Sequence, residues 1–315
     1  MPARWIGLVM ILMGMVGPVK AQMIFVANNG NDTVSQIDPS GNATMLATGI
    51  SFPNGVALDA SGHVYVAAAG TTSIEEYAAS GVHLGTFATT GLDNPMGLAF
   101  DANGNLYAAN FGSNTLEKYS PAGIDLGVFA STGLSGPTGL RFDSNGNLYV
   151  ANYFTGDILE FSPGGSSLTF SANVYTPGDL AFDANGNIYV SDQGNKMIEK
   201  LSATGVDLGE FASTGDHTAI GLAFDAGGNL YAAYRDANII EEFAPNGADL
   251  GGFATSGLDT PTFLAIATVP EPATWALLAG AGGLAAAFIC RSPPTTRQSG
   301  ANACGWASCD HPAGQ

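Results

Sequence analysis

Six polar side chains stand at equivalent places in a repeated sequence and are the best candidates for binding chemistry. Four of them close a short apolar segment and two stand near the start of another; in chain order they are Asn28, Asn54, Asn110, Asn152, Asp179 and Asp192. Amide and carboxylate oxygens accept hydrogen bonds from sugars and peptides and ligate hard cations. Because Asn and Asp also cap backbone groups in loops, a structural role is the alternative for each residue.

Other reactive residue types offer little for catalysis or metal binding. Of the histidines, only His217 precedes a predicted strand at the same end as these polar residues. The cysteines all lie near the C-terminus, so the rest of the chain cannot form a disulfide or a thiolate metal site: Cys290, Cys304 and Cys309. Neither a Ser-His-Asp order nor a phosphate-binding glycine motif is found in the sequence. We therefore expect no catalytic residue and no metal ligand.

Two further sets of acidic residues repeat, and both are interpreted as structural. The Asp-x-Asn-Gly-Asn segments, such as the one that begins at Asp101, lack the acidic residue that completes an EF-hand loop. They predict turns in which the Asp side chain caps the backbone. A glutamate also recurs at one position of a predicted strand, and its repetition indicates a solvated sheet face: Glu75, Glu117, Glu199 and Glu241.

A long-period repeat must position these residues. A block of the form G-L-A-F-D-x-N-G-N-L-Y-V recurs, and its Asp residues are separated by 42, 42, 40 and 42 positions: Asp59, Asp101, Asp143, Asp183 and Asp225. Each unit predicts four short strands, with Asn-Gly in the first hairpin turn because both residues accept a positive φ. A four-stranded unit of about 40 residues is typical of a β-propeller blade.

The two ends of the repeat are complementary. Residues from Ile24 to Ala47 match three strands with no first strand before them, whereas Phe263 to Ala267 matches a lone first strand. Pairing of these segments, a velcro closure, would complete one blade and protect the sheet edges. The sequence therefore predicts an all-β fold, a six-bladed β-propeller of four-stranded antiparallel blades over residues 22–268.

The repeat resembles the NHL repeat in two segments. Pro95 to Asp101 reads P-M-G-L-A-F-D, and Asn187 to Asp192 reads N-I-Y-V-S-D. The resemblance extends over residues 22–268 and implies the propeller architecture. It implies little about activity, since one propeller fold supports many functions.

Two families of propeller enzymes provide a catalytic alternative. Phe52 to Val56, with Asn54 at its centre, resembles the Asn element of the calcium-dependent lactonases of the gluconolactonase family, which place a Glu, an Asn and an Asp at the pore. Asp179 stands one position away from the Asp of that pattern, and no Glu precedes a first strand. A streptogramin-lyase-like enzyme would instead need a pore histidine as its base, for which His217 is the candidate. The alternative, and the simpler interpretation of His217, is a solvent-exposed loop residue.

The N-terminal end predicts export. Residues 1–21 have the short positive start, the apolar run and the small residues before the cut of a cleaved signal peptide. We therefore expect an exported protein, extracellular or at the cell surface.

The C-terminal end resembles the PEP-CTERM sorting signal over residues 269–291. The residues that carry the resemblance are Pro270, Glu271, Pro272, the uncharged run 274–290 and Arg291. The run predicts an apolar helix that anchors the chain transiently in the membrane. The resemblance implies an exosortase-type sorting enzyme as partner. A tail follows at 292–315, which we expect to be disordered.

The net charge of the chain excludes one class of binding partner. The formal net charge is −18 at pH 7, which argues against nucleic acid because phosphate binding needs clustered Lys and Arg. We expect a monomeric, non-catalytic propeller that binds exopolysaccharide, another matrix component or other surface proteins through its pore face. The alternative is a divergent metal-dependent lactonase or a streptogramin-lyase-like enzyme. No cofactor is expected, except calcium under the lactonase alternative.

Overall fold

The computed structural model describes residues 22–168, 170 and 174–268. They form six antiparallel sheets of four strands each. The first strand of each sheet contacts the first strand of the next, and the cycle closes on itself. The predicted six-bladed β-propeller is therefore confirmed.

The strands follow the chain from blade to blade. One blade, which we call blade 6, combines strands from both ends of the propeller. It contains β1 (Gln22–Asn28), β2 (Thr33–Ile37), β3 (Ala43–Thr48) and the last strand, β24 (Pro261–Thr268). Blade 1 contains β4 (Pro53–Leu58), β5 (Val64–Ala68), β6 (Ser73–Tyr77) and β7 (His83–Ala88). Blade 2 contains β8 (Pro95–Phe100), β9 (Leu106–Asn110), β10 (Thr115–Tyr119) and β11 (Asp125–Ala130).

The remaining blades repeat this order. Blade 3 contains β12 (Pro137–Phe142), β13 (Leu148–Asn152), β14 (Asp157–Phe161) and β15 (Ser167–Leu168). Blade 4 contains β16 (Pro177–Phe182), β17 (Ile188–Asp192), β18 (Met197–Leu201) and β19 (Asp207–Ser213). Blade 5 contains β20 (Ala219–Phe224), β21 (Leu230–Tyr234), β22 (Ile239–Phe243) and β23 (Asp249–Ala254), and β24 is Pro261–Thr268.

Blade 6 closes the ring as the sequence predicts. Its strand order is β24-β1-β2-β3, and Ile24 pairs with Ile266 while Val26 pairs with Leu264. Both Val26 and Leu264 are fully buried. The closure therefore joins the chain ends through backbone hydrogen bonds and through core packing.

The hairpin between the first two strands of a blade is held by the predicted Asp. In blade 2, Asp101 Oδ1 accepts the N–H groups of Asn103 and Asn105, each at 2.9 Å. Gly104 adopts a φ of 79°, which a residue without a Cβ tolerates. These turns fix the register that places apolar residues between blades.

The core lies between neighbouring blades and contains interleaved aromatic rings. Tyr107 of β9 packs edge-on against Phe142 of blade 3 and Phe129 of its own blade, with ring centroids 4.9 Å apart in both contacts. The equivalent Tyr149, Tyr189 and Tyr65 repeat this packing. The interpretation of the recurring tyrosines as inter-blade core is confirmed.

Several predictions fall outside the residues that the structure describes. They are the signal peptide at 1–21, the sorting segment at 269–291 with Pro270, Glu271, Pro272 and Arg291, its apolar helix at 274–290, and the tail at 292–315. Within the described part of the chain, no helix is both long and apolar enough to cross a bilayer.

Candidate functional site

The first strands of the six blades line a recess of about 400 Å³ at the end of the central channel where these strands finish. One equivalent residue of each strand lies in its wall. Five of these residues are alanine and the sixth is arginine: Ala57, Ala99, Arg141, Ala181, Ala223 and Ala265. We call this set the alanine ring. A single long cation among five methyl groups breaks the sixfold pattern.

Arg141 extends from blade 3 across to two other blades. Its Nη2 donates to Asp179 Oδ2 of blade 4 at 2.9 Å and to the Leu222 carbonyl of blade 5 at 3.2 Å. Its Nη1 donates to the Leu140 carbonyl at 2.8 Å. The side chain is 24% exposed, and the recess is the cavity that it lines. The guanidinium therefore lies between the recess and the interior of the channel.

Asp179 also breaks a sixfold pattern. Four other blades have glycine at its position in the first strand, and blade 6 has a phenylalanine: Gly55, Gly97, Gly139, Gly221 and Phe263. The Asp179 side chain is fully buried. Ser191 Oγ accepts the Asp179 N–H at 2.8 Å, and the Leu222 N–H donates to Asp179 Oδ2 at 3.1 Å.

The second carboxylate oxygen of Asp179 is left without a partner. Among the described residues, Oδ1 is the one buried side-chain nitrogen or oxygen that makes no hydrogen bond. A Cβ built on Gly139 would lie 2.5 Å from this oxygen, so the neighbouring blade leaves room for it only because that residue is glycine. Buried polar atoms are normally satisfied, and an exception calls for a functional explanation.

Burial controls the protonation of Asp179. Loss of water raises the pKa of this carboxyl, while the charge of Arg141 and the Leu222 N–H oppose the rise without cancelling it. A carboxylate with a raised pKa is a stronger base than a solvated one. The pair therefore combines a proton acceptor with a fixed cation on the channel axis.

Four of the predicted binding residues are hydrogen-bonded to the loops that connect the blades. Asn110 donates to the Gly91 carbonyl at 2.7 Å and accepts the Asp93 N–H at 3.1 Å. The equivalent side chains also bond to these loops: Asn28 accepts the Asp259 N–H, Asn152 accepts the Ser135 N–H and donates to the Gly133 carbonyl, and Asp192 accepts the Tyr175 N–H. Asn28 further donates to Ser35 of β2, and Asp192 accepts the Asn195 N–H of the turn that follows β17. These contacts explain why the type recurs, and ligand binding by these residues stays a prediction.

Asn54 lies apart from those four, at the start of β4. It is buried, its Oδ1 accepts a hydrogen bond from Asn29 Nδ2 at 3.1 Å, and its Nδ2 donates to the Pro95 carbonyl at 3.5 Å. It belongs to blade 1, whereas Asp179 belongs to blade 4. The structure records no contact that joins Asn54 and Asp179 into one site.

His217 precedes β20, at the end of the channel opposite the recess. It is half-exposed and stacks on Tyr234 with ring centroids 5.5 Å apart. Its Nδ1 lies 3.6 Å from Asp236 Oδ1. The stacked ring and the nearby carboxylate place the imidazole at the surface of the loop before β20.

The oxygens near the axis do not fit a calcium ion. Calcium takes six to eight oxygen ligands, whereas Asp179 offers one free oxygen beside the positive charge of Arg141. The Asn54 oxygen is already engaged by Asn29. In the ranges that the structure covers, no group of three or more His, Cys, Asp or Glu side chains could hold a metal.

Sequence reasoning found Asp179 but not Arg141. The signal was present, since Arg141 replaces the alanine of the repeat and is one of few cations in the acidic blades. The repeat alone does not show that a side chain in blade 3 reaches an acid in blade 4, 38 residues later.

In the comparisons with known proteins, a family model matches part of the chain and solved structures share its fold. Residues 20–130 match the family model described as the SMP-30/gluconolactonase/LRE-like region. No curated protein matches the chain in sequence. The structure resembles a chain of a nidogen/laminin complex with a TM-score of 0.69 and 20% identity, covering 78% of this chain and 98% of that one.

Two solved enzymes show the same fold. A gluconolactonase from Xanthomonas campestris has a TM-score of 0.62 and 18% identity, with 76% of this chain and 87% of that chain covered. Virginiamycin B lyase from Staphylococcus aureus has a TM-score of 0.53 and 15% identity, with 80% and 75% covered. At these identities the likeness establishes the propeller fold.

The expectation of a non-catalytic binding propeller is wrong. The match of residues 20–130 to the model of a gluconolactonase-type family overturns it and agrees with the enzymatic alternative. The repeated Asn and Asp suggested a binding face because their loop hydrogen bonds are invisible in a sequence.

Proposed function

We propose that the chain is a lactone-opening enzyme whose reaction takes place at the axial pair of Asp179 and Arg141. The observation that carries this proposal is the unpartnered Oδ1 of a fully buried carboxylate beside a guanidinium. The family match over residues 20–130 supports the reaction class. A site for one substrate needs residues that the other blades lack, and Asp179 and Arg141 are such residues.

The proposed reaction is hydrolysis of a cyclic ester. Asp179 Oδ1 takes a proton from a water molecule, whose oxygen forms a bond to the lactone carbonyl carbon. A guanidinium N–H of Arg141 donates to the carbonyl oxygen as it gains negative charge. The bond between the carbonyl carbon and the ring oxygen then breaks, and that oxygen receives the proton from Asp179. The product is one open hydroxy acid.

In this proposal a substrate reaches Asp179 only after it displaces the Arg141 side chain. Asp179 itself is fully buried, and Arg141 is the member of the pair that lines the recess. A substrate in the recess therefore meets the guanidinium first and must draw it away from Asp179 Oδ2. The small alanine side chains around the ring leave the space for this movement. No step uses calcium, because the donors present do not fit it, and we propose that the reaction needs no cofactor.

A panel of lactones tests the proposal. We expect acid release in a pH-stat assay with EDTA present, and a loss of at least about 100-fold in kcat for Asp179→Asn, the size typical of removing a general base. Arg141→Lys keeps the positive charge but loses the paired N–H donors of the guanidinium, so it should retain part of the activity. Asp216→Asn, at an exposed loop residue, is the matched control and should leave kcat unchanged. Full activity of a folded Asp179→Asn variant would refute the site.

His217 supports a second candidate, an eliminating lyase. Its imidazole stacks on Tyr234, and Asp236 lies 3.6 Å from Nδ1; a histidine held in this way is a candidate base for removing a carbon-bound proton. Mass spectrometry separates the two reactions, since hydrolysis adds one water to the substrate and elimination adds none. If the wild type forms a product with the mass of the substrate and His217→Gln does not, the lyase is supported. Unchanged kinetics in His217→Gln would exclude His217 as the base.

We also propose that the protein is exported and sorted as its terminal sequences suggest. The NHL-like repeat, the signal peptide at 1–21 and the PEP-CTERM-like segment at 269–291 support this proposal. The proposed partner is an exosortase-type enzyme, and the mature propeller, monomeric, would then reside at the cell surface or outside the cell, where surface proteins or exopolysaccharide surround it. Mass spectrometry of the mature chain from its host should show cuts after Ala21 and near Pro270, and an intact chain would contradict both.

A further inference from the structure

In three blades, a buried glutamate lies beside an aspartate of the outermost strand. The pairs are Glu117 with Asp125, Glu199 with Asp207, and Glu241 with Asp249. The three glutamates are 3%, 5% and 9% exposed. Their repetition suggested a solvated sheet face, and the structure corrects this, because little of each side chain is exposed. At Glu117 the loop from the preceding blade packs against the side chain, since a Cβ on Gly91 of that loop would lie 2.7 Å from its carboxyl carbon.

A repeated bulge aims each aspartate. Gly127 has a φ of 88°, and its N–H donates to Asp125 Oδ1 at 2.7 Å. Gly209 and Gly251 make the same bond to Asp207 and Asp249 at 2.6 and 2.7 Å. The strand register shifts at each of these glycines. The Asp-Leu-Gly sequence therefore builds the same local geometry three times.

Nothing positive faces these glutamates. In the part of the chain that the structure describes, the ion pairs involve none of the three, and the neighbouring titratable groups are acidic or phenolic. Besides its aspartate, Glu117 faces Tyr119 of β10, Glu199 faces Asp192 of β17, and Glu241 faces Tyr234 of β21. Two carboxylates this close cannot both stay ionised without a large repulsion.

The protonation equilibrium responds to this environment. Burial first, and the adjacent aspartate second, raise the pKa of Glu117 to about 7, and the same causes raise the pKa values of Glu199 and Glu241 to about 7. An ordinary glutamate loses its proton well below this range.

Blade 1 provides an internal contrast. It has the same glutamate, Glu75, and the same bulge, but His-Leu-Gly replaces Asp-Leu-Gly. His83 Nε2 lies 2.9 Å from Glu75 Oε2, and Ser73 and Thr86 donate to the carboxylate at 2.7 and 3.0 Å. Burial raises the pKa of Glu75, but these hydrogen bonds outweigh it and the pKa is lowered. In blade 1, His83 therefore stands where the other three blades have an aspartate, and it favours the ionised form of Glu75.

We propose that each of the three Glu-Asp pairs holds one shared proton that latches the outer strand of its blade. Glu117, Glu199 and Glu241 keep the proton, and a side-chain oxygen of each neighbouring aspartate accepts it in a hydrogen bond. Loss of the proton leaves two adjacent carboxylates and drives β11, β19 and β23 away from the strands beside them. The propeller is therefore built to loosen at its rim as the surroundings become alkaline, independently of any catalytic activity.

The sign of the effect is set by linkage. A glutamate whose pKa is higher in the folded state than in the unfolded state binds more protons when folded between the two values. Its contribution to stability is complete below the unfolded value and is lost as the pH rises to about 7. The lowered pKa of Glu75 acts in the opposite direction and at lower pH.

Melting temperatures of the full chain in EDTA test the latch. We expect the wild-type melting temperature to fall by roughly 5 °C or more between about pH 5 and pH 8. The triple variant Glu117→Gln, Glu199→Gln, Glu241→Gln should lose most of this slope, because an amide donates to the aspartate at every pH. Glu75→Gln, the equivalent position of blade 1, is the control and should keep the slope.

Infrared spectroscopy provides a readout that does not depend on a variant. Wild-type protein at about pH 6 should show the carbonyl stretch of protonated carboxyl groups, and this band should weaken by about pH 8 as the three glutamates lose their protons. If the triple variant does not fold, each single Gln variant should remove about a third of the part of the band that is lost between these two pH values, and Asp179→Asn identifies any part that Asp179 contributes. An unchanged pH slope in the folded triple variant, or no protonated carboxyl signal in the wild type at about pH 6, would overturn the proposal.

Discussion

Removal of Arg141 should destabilise the propeller far more than removal of the whole axial pair. Arg141→Ala restores the alanine found at this position in the other five blades, so it creates no steric problem. It leaves Asp179 fully buried with Oδ2 bonded only to the Leu222 N–H and Oδ1 bonded to nothing. An uncompensated buried charge costs about 3–5 kcal/mol. The variant should therefore unfold at least about 6 °C below the wild type, at the few degrees per kcal/mol expected for a domain of this size.

The double variant separates charge from packing. Arg141→Ala with Asp179→Ala removes both charges, so the penalty for an unpaired carboxylate disappears and only the loss of contacts remains. We expect it to recover most of the stability lost in Arg141→Ala. The single variant should also recover in acid, since burial raises the pKa of Asp179 and a protonated carboxyl carries no charge.

Thermal and urea denaturation at about pH 7 and about pH 5 measure the stability of the wild type, the single variant and the double variant. An Arg141→Ala variant that melts within about 1 °C of the wild type, or a double variant less stable than the single one, would refute the role of Arg141 as the partner of a buried charge. Either result would mean that Asp179 is hydrated or protonated irrespective of Arg141.

Three further outcomes follow from the fold. Leu264→Ala, at a fully buried residue of the strand that closes the ring, should cost about 2–5 kcal/mol by urea unfolding, and a cost near zero would contradict closure by core packing. Gly139→Ala, whose Cβ would lie 2.5 Å from Asp179 Oδ1, should lower the melting temperature, whereas Gly164→Ala, with a nearest atom at 4.0 Å, should not; equal effects would contradict the tight approach at the axis. Burial raises the pKa of Asp101, but hydrogen bonds from Asn105 and Asn103 lower it overall, so its turn contributes stability that is lost as the pH falls below about 4; an Asp101→Asn variant that keeps the wild-type loss between about pH 5 and pH 3 would show that the turn is not responsible.

The fold was predictable because its information is local and repeated. Each hairpin is specified by an Asp, an Asn-Gly turn and alternating apolar residues, as around Asp101 and Gly104. A turn of this kind needs only neighbouring residues to form. The complementary ends, Ile24 and Ile266 among them, then left one way to complete six blades.

The site was only partly predictable, because polar residue types do not reveal their partners. Asn110 and Asn152 were predicted to bind a ligand or to cap loops, and the structure shows that their amide groups do bond to the loops between blades. Glu117 looked like a solvated residue, yet a neighbouring loop buries it. A polar side chain can face solvent, a ligand or its own backbone, and sequence spacing does not distinguish these.

The amino-acid sequence by itself therefore determined the number of blades, their strand order and the joining of the chain ends, since backbone hydrogen bonding and apolar periodicity act over a few residues at a time. The tertiary structure decided that Arg141 meets Asp179 and that three glutamates each meet an aspartate. Those contacts depend on how the blades stack around the axis and on the strand bulges that hold Asp125, Asp207 and Asp249. Charges interact through space, and only the folded chain sets the distance between them.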